Sequence, residues 1–324
     1  MVVEAPANRA ERERIVKTFE GIEAVPADWP PSAVTIGKFD GVHAGHRAVI
    51  AELRILAERD GLASVVVTFD RNPLALLNPD RCPSSLVSIE QKAELLAETG
   101  IDAAVVLAFT RELASLTPEE FVQNILVDAL HVGRVLVGRD FRFGHKGAGD
   151  VEVLRQLGSR HGFVVTLVDD VMPDGTRRVS STWIRELLGA GDVRAAAELL
   201  GHIPTVRGVV VRGAARGREL GFPTANLSPE SQGLIPADGV YAGWLTDAGV
   251  RYPAAISVGN NPTFEGVPNK QVEAYVLDRE IDLYDHVVDV SFAERIRGMV
   301  AFTGIDPLIE QIAADVVTAR AILL

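Results

Sequence analysis

Between residues 32 and 168 short β-branched runs alternate with stretches of helical periodicity, and no other feature of the chain limits its fold so tightly. A strand, a helix and a second parallel strand connect right-handedly, so repeated alternation builds a doubly wound parallel sheet with helices on both faces. The runs at 33–36, 63–69, 103–108, 134–137 and 163–168 are the expected strands. Two helix starts between them are explicit. Ser88-Ile89-Glu90-Gln91 and Thr117-Pro118-Glu119-Glu120 both match a capping box, and the second adds proline at the first helical position. Ligands of such a domain are expected at the carboxyl ends of its strands.

After Gly201 the pattern changes. Residues 183–188 and 192–200 predict two short helices, and runs at 206–212, 240–245, 254–258, 272–277 and 287–290, punctuated by Gly, Pro and Asn, predict a small antiparallel barrel. Asp306 and Pro307 open a last helix whose Leu308, Ile309, Ile312, Val316 and Ala319 share one face. The 324 residues, 47% of them hydrophobic, therefore divide into an α/β domain over 1–200 and a barrel domain with a terminal helix over 201–324.

Charge and cysteine content narrow the function. Forty-four acids against 32 bases give a net charge of −12, a field that repels nucleic acid. The one cysteine, Cys82, can form no internal disulfide and fits a reducing compartment. Charges at Glu4, Arg9 and Glu11 do not read as a signal peptide, and no apolar run reaches the roughly 18 residues a membrane span needs. The expectation is a cytoplasmic protein acting on small molecules, with no membrane partner.

Gly37-Lys38-Phe39-Asp40-Gly41-Val42-His43-Ala44-Gly45-His46 follows the first of those strands and leads into a helix. Glycines 37, 41 and 45 allow close approach of the backbone to a ligand, and a helix N-terminus presents N–H groups and a positive dipole end to an anion. His43 and His46 can donate to a polyphosphate; either alone reads more simply as a turn cap or core histidine, and zinc on Asp40, His43 and His46 is a third reading. Farther on, Arg178, Ser181, Thr182 and Arg185 gather two guanidinium groups and two hydroxyls at a helix start, suited to a leaving pyrophosphate. A solvated basic turn is the plain alternative.

The second half carries its own anion-binding turn. Gly213, Arg216, Gly217 and Arg218 follow a strand and can cradle phosphates, while Thr224 and Asn226 in Phe222-Pro223-Thr224-Ala225-Asn226-Leu227 offer the hard oxygens that Mg²⁺ prefers. Without its flanking residues, Glu273 reads as an exposed strand glutamate.

The 37–46 block resembles HxGH-type nucleotidyltransferases, and in its fuller form the adenylyltransferase half of the bifunctional riboflavin kinase/FAD synthetase family. Gly138-Arg139-Asp140-Phe141-Arg142-Phe143-Gly144 and the 178–185 segment are similar to further motifs of that half, and G-R-x-L-G-F-P-T-A-N-L from Gly217 to Leu227 resembles the riboflavin kinase signature. Segments at 239–242, 257–264 and 272–275 continue the likeness in order. The resemblance implies a Rossmann-like nucleotidyltransferase domain joined to a riboflavin kinase-like barrel. The barrel would phosphorylate riboflavin with Mg-ATP; the α/β domain would transfer AMP from ATP to FMN, releasing pyrophosphate and FAD. It assigns ATP contacts to Gly37, Phe39, Asp40, Gly41, Gly45, Asp140, Arg178, Ser181, Thr182 and Arg185, with catalytic roles at His43 and His46 and flavin contact at Phe143. In the barrel it assigns phosphate binding to Gly213, Arg216, Gly217 and Arg218, magnesium to Thr224 and Asn226, and the general base to Glu273. Four positions depart from the family pattern: Asn72, where a histidine is usual, Asp140 for asparagine, Asp285 for glycine, and Val300 in a segment that usually carries an acid and a lysine. An adenylyl- or cytidylyltransferase for another phosphate ester, a flavin-binding regulator without catalysis, and a structural α/β protein in which both motif sets are chance are the competing readings.

Overall fold

A computed structural model describes residues 16–173, 175–213, 220–259 and 270–324. The chain forms two compact units, the first taking in 16–39, 46–82 and 89–170, the second 40–45, 83–88 and the described residues from 171 onward.

The first unit is built on a six-stranded sheet in the order β1-β4-β3-β2-β5-β6. The strands are β1 (Lys17–Glu20), β2 (Ser32–Ile36), β3 (Ala63–Phe69), β4 (Ala103–Leu107), β5 (Val132–Gly138) and β6 (Val164–Val168). Every pairing is parallel. All five residues of β2 and of β4 are buried, as a sheet covered on both faces requires. Five strands lie where the β-branched runs place them; β1, an added edge strand beside β4, does not announce itself in the residues. Helices α1 (Ala44–Asp60), α2 (Pro73–Leu77), α3 (Ile89–Ala97), α4 (Arg111–Ser115), α5 (Pro118–Phe121) and α6 (Val151–His161) connect the strands. Thr117 and Glu120 close the expected capping box, after which the chain widens into a π-helical stretch at Val122–Val127.

Strand order fixes where a ligand can sit. From β2 the chain winds outward through β3 and β4, then returns to place β5 on the other side of β2, with Thr35 opposite Leu136. In doubly wound sheets ligands bind at such a reversal, here the carboxyl ends of β2 and β5, and the loops after Ile36 and Gly138 leave from that edge.

In the second unit, α7 (Ser181–Ala190) and α8 (Val193–Leu200) precede a closed barrel in the order β10-β11-β8-β7-β12-β9. Its strands are β7 (Thr205–Val211), β8 (Ala225–Leu227), β9 (Gly239–Asp247), β10 (Val250–Gly259), β11 (Gln271–Val276) and β12 (Val287–Arg297). Closure pairs each described barrel strand with a neighbour on both sides. Ile184, Leu188 and Leu199 share one core with barrel residues such as Ile256 and Phe292, so both helices fold with the barrel. Helix α9 (Ile305–Leu323) packs through the expected face, Ala319 meeting Ala242 and Ala255. Asp315 on that face is buried and takes a bidentate contact from Arg297, at 2.9 Å from Nε and 2.7 Å from Nη2. A buried carboxylate is tolerated there because its charge is paired and hydrogen-bonded.

Two of the family departures acquire a physical reason. Asn72 caps α2, its side chain accepting from the Leu74 N–H at 3.1 Å with Pro73 at the first helical position. Asp285 sits at φ +67°, a conformation that favours glycine, and is exposed. Asp285→Gly is therefore expected to stabilise the barrel by about 0.5–1 kcal/mol, read as a higher midpoint in urea titration. An unchanged or lower midpoint contradicts the strain argument.

Candidate active sites

The first site grows from the turn between β2 and α1. Phe39, Gly41 and Val42 all adopt positive φ, at +46°, +79° and +39°. Non-glycine residues hold such angles only where their surroundings over-determine them, and they concentrate at functional sites. At Gly41 a Cβ would lie 2.8 Å from the Leu86 side chain and 3.1 Å from Leu200, so packing as well as φ demands glycine. Helix α1 starts at Ala44 and carries His46 in its first turn, where the amide N–H groups have no intrahelical acceptors. Phe39, 3% exposed, lies beside His46 with ring centroids 4.9 Å apart.

Asp40 is clasped from two sides: its carboxylate accepts from the Leu86 N–H at 2.9 Å and is ion-paired with Arg185. Arg185 also donates through Nε to the Ser84 carbonyl at 2.7 Å, and Ser181 Oγ donates to the Asp40 carbonyl at 3.0 Å. Three residues expected around ATP, 40, 181 and 185, thus form one cluster, with Ser180 capping α7 beneath it. Asp40 fixes the guanidinium instead of facing an anion alone. Thr182 and Arg178 are exposed. His202 Nε2, in the segment before β7, lies 2.8 Å from the Gly41 carbonyl, a contact the residues alone do not disclose.

His43 is buried at 6% exposure, its ring packed on the Cα of Gly45. Burial drives its pKa down to about 4, and the Arg178 charge acts in the same direction. It is therefore neutral at pH 7. An unfolded chain takes up the proton near pH 6.5 while the native one resists it to about 4, so stability falls as pH drops through that window. The full loss is about 3 kcal/mol. Thermal denaturation of His43→Gln between pH 7 and 4 is expected to show a flatter decline than the parent; parallel declines rule this histidine out as the titrating group.

At the end of β5, Asp140 is exposed and near the Cα of Gly138. Phe143 is 6% exposed and stacks at 5.5 Å with Phe141, which is half-buried, so of this pair the 141 ring is the more open. Among the described residues no group of three or more His, Cys, Asp or Glu is arranged to hold a metal ion.

The second site is formed by β8 and β11 in the barrel. Glu273 lies opposite Asn226 on β8 and opposite Ser257 on β10. Thr224 Oγ1 is 3.4 Å from its carboxylate, and Asn226 Nδ2 donates to the Thr224 carbonyl at 3.1 Å and hydroxyl at 3.2 Å. The chain at Gly213 passes so close that a Cβ there would meet the Asn226 side chain at 2.7 Å. Residues 213, 224, 226 and 273 are thereby brought together. Phe222 stands edge-on to Tyr275 at 5.4 Å. Arg216, Gly217 and Arg218, like Asn260 through Phe264, lie outside the described residues.

Known proteins resemble this chain along nearly its whole length. Residues 25–183 match the FAD synthetase family model and 200–323 the riboflavin kinase model. A bifunctional riboflavin kinase/FMN adenylyltransferase of Escherichia coli (strain K12) is 38% identical over 308 residues, covering 95% of this chain and 97% of its own. Its counterpart in Pseudomonas fluorescens is 39% identical, covering 89% of this chain and 92% of its own. A solved chain described as a macrolide-efflux protein from Streptococcus pneumoniae superimposes with a TM-score of 0.83 at 32% identity, over 94% of this chain and 99% of that one. No described helix here is long and apolar enough to cross a membrane. With both halves matched in order along one chain, this protein belongs to the bifunctional riboflavin kinase/FMN adenylyltransferase family.

Proposed function

We propose that this chain makes FAD from riboflavin in two reactions at two sites, consuming ATP in each. The observation that carries the reading is that each half is matched by its own family model, and part of each motif set is joined by polar contacts: Asp40 with Ser181 and Arg185, and Thr224 with Asn226 and Glu273. We assign adenylyl transfer to residues 1–200 and phosphoryl transfer to 201–324, in the cytoplasm.

In the barrel, Glu273 takes the proton of the ribityl 5′-hydroxyl as that oxygen bonds to the γ-phosphorus of ATP and the bond to the bridging oxygen breaks, releasing ADP. A carboxylate suffices, because phosphoryl transfer needs alignment and charge neutralisation more than a strong base. The hydroxyl of Thr224, the amide oxygen of Asn226 and the Glu273 carboxylate are hard oxygens suited to Mg²⁺. Thr224 and Asn226 would hold that ion, which supplies neutralisation of the phosphate charge. Gly213, Arg216, Gly217 and Arg218 would bind the phosphates of ATP, the role their resemblance to the kinase motif implies.

In the α/β half, a phosphate oxygen of FMN attacks the α-phosphorus of ATP and pyrophosphate leaves. Two anions must meet, so donors and cations matter more than a base. Gly37, Phe39, Gly41 and Gly45 let the backbone approach the nucleotide, His43 and His46 supply N–H donors, and Arg178 and Arg185 neutralise the leaving group. Asp40 and Ser181 orient Arg185 and the turn; Thr182 and Asp140 face the nucleotide. Phe143 supports the flavin through Phe141.

The test is direct: pure protein incubated with riboflavin and Mg-ATP, with FMN and FAD followed by chromatography. Both products are expected in sequence, and the appearance of neither refutes the proposal.

A further inference from the structure

Lys92 is a buried lysine without a part in either reaction as described above. It is 7% exposed on α3, at helical spacing from Ile89 and Leu96, where an apolar side chain would be expected. Its ammonium donates to the Phe69 carbonyl at 2.8 Å and to the Lys38 carbonyl at 3.3 Å. Thr68, fully buried on β3, donates through Oγ1 to the same Lys38 carbonyl at 3.1 Å. Two side chains thus grip one peptide group at the carboxyl end of the sheet.

We infer that Lys92 is a positioning residue for adenylyl transfer, fixing the peptide between Lys38 and Phe39 so that its N–H is turned toward the nucleotide. The inference rests on the adenylyltransferase reading of this site. In a trans peptide the carbonyl and the following N–H point in opposite directions. With the Lys38 carbonyl held by Lys92 and Thr68, the Phe39 N–H is aimed away from both. That plane also sets φ of Phe39 at +46°, which a phenylalanine leaves when unconstrained. Rotation of the plane would relieve the strain and reverse the N–H. A buried ammonium is expensive to desolvate and is retained where its donors are used; here they hold the peptide that opens the turn. The charge also adds a fixed positive field at the sheet edge where a polyphosphate is expected.

Lys92→Met in the full chain tests this in two arms. Without substrates, amide exchange across 37–41 is expected to accelerate about tenfold relative to the parent, because the turn loses its clamp. With FMN and ATP, KM for ATP is expected to rise about tenfold, as for a lost hydrogen bond from a charged donor, while KM for FMN and the rate of FMN formation from riboflavin stay within about twofold. A fall in kcat with both KM values unchanged is what simple loss of folded protein produces, and it overturns the inference. Unchanged exchange overturns it equally. If Lys92→Met does not fold, Thr68→Val decides: KM for ATP is expected to rise about fivefold through loss of one neutral donor, and an unchanged KM overturns the proposal. A parent protein that makes no FAD refutes the adenylyltransferase reading, whereas the exchange arm still reports on Lys92.

Discussion

Glu273→Ala is expected to stop FMN formation from riboflavin while FAD formation from added FMN continues at the parental rate. The carboxylate stands on β11, between Asn226 of β8 and Ser257 of β10, with the Thr224 hydroxyl 3.4 Å away. Alanine removes the acceptor for the ribityl proton together with one hard oxygen of the phosphate site. Loss of general-base assistance alone costs about 10²–10⁴-fold in rate. Glu273→Gln separates these contributions, since glutamine keeps the size and an oxygen but cannot take the proton; a comparable fall is expected. The side chain is half-buried on a strand whose alternate residues Val272, Ala274 and Val276 carry the core, so the thermal midpoint is expected to stay close to the parent's. Chromatography of both reactions from one preparation reads the result. If glutamine leaves FMN formation within tenfold of the parent, Glu273 is not the base. If alanine removes both activities in a folded protein, the two sites are not separate.

What could be read from the residues divides by range. Thr117 and Glu120 form their box because both partners lie within one turn: the Glu120 N–H meets Thr117 Oγ1 at 3.2 Å and the Glu120 carboxylate accepts from the Thr117 N–H at 2.8 Å. The alternation of β-branched runs likewise reports local burial, and the parallel sheet and barrel follow from it. Short or weakly patterned elements escape: β1 has a single half-buried residue among four, and β8 spans only three residues. The π-helical stretch after α5 has no compositional sign at all.

The sites divide in the same way. The glycines and histidines of the 37–46 turn stand together in sequence, so the turn is visible. Their supports do not. Asp40 is held by an amide 46 residues away and by a guanidinium 145 residues away, and nothing in the intervening chain announces either. Asp40 itself is legible as a site residue but not as the partner of Arg185, since pairing depends on which side chains the fold brings to that loop. Lys92 left a trace, a charge on the apolar stripe of α3, and such a charge is worth pursuing because an unpaired one would not be tolerated there. Asp285 left another: the resemblance puts glycine at a position whose φ is +67°, so the departure costs strain.

His46→Ala is expected to produce the complementary loss, a fall of about 10²–10³-fold in FAD formation from FMN with FMN formation from riboflavin unchanged. The imidazole belongs to the first turn of α1, beside the Phe39 ring, and so lies at the helix's positive end. His43 carries no charge at pH 7, since burial holds its pKa near 4. A donor at residue 46 therefore acts where negative charge builds as the bond to pyrophosphate breaks. Interactions that strengthen only in the transition state lower kcat and kcat/KM together, and that is the signature expected of His46→Ala; a rise in KM alone would mark it as a binding contact. His46→Asn, which retains an N–H donor on a shorter side chain, is expected to recover part of the rate. Steady-state kinetics with FMN and ATP varied in turn distinguishes these outcomes, and full activity in the alanine variant would remove the histidine from the reaction.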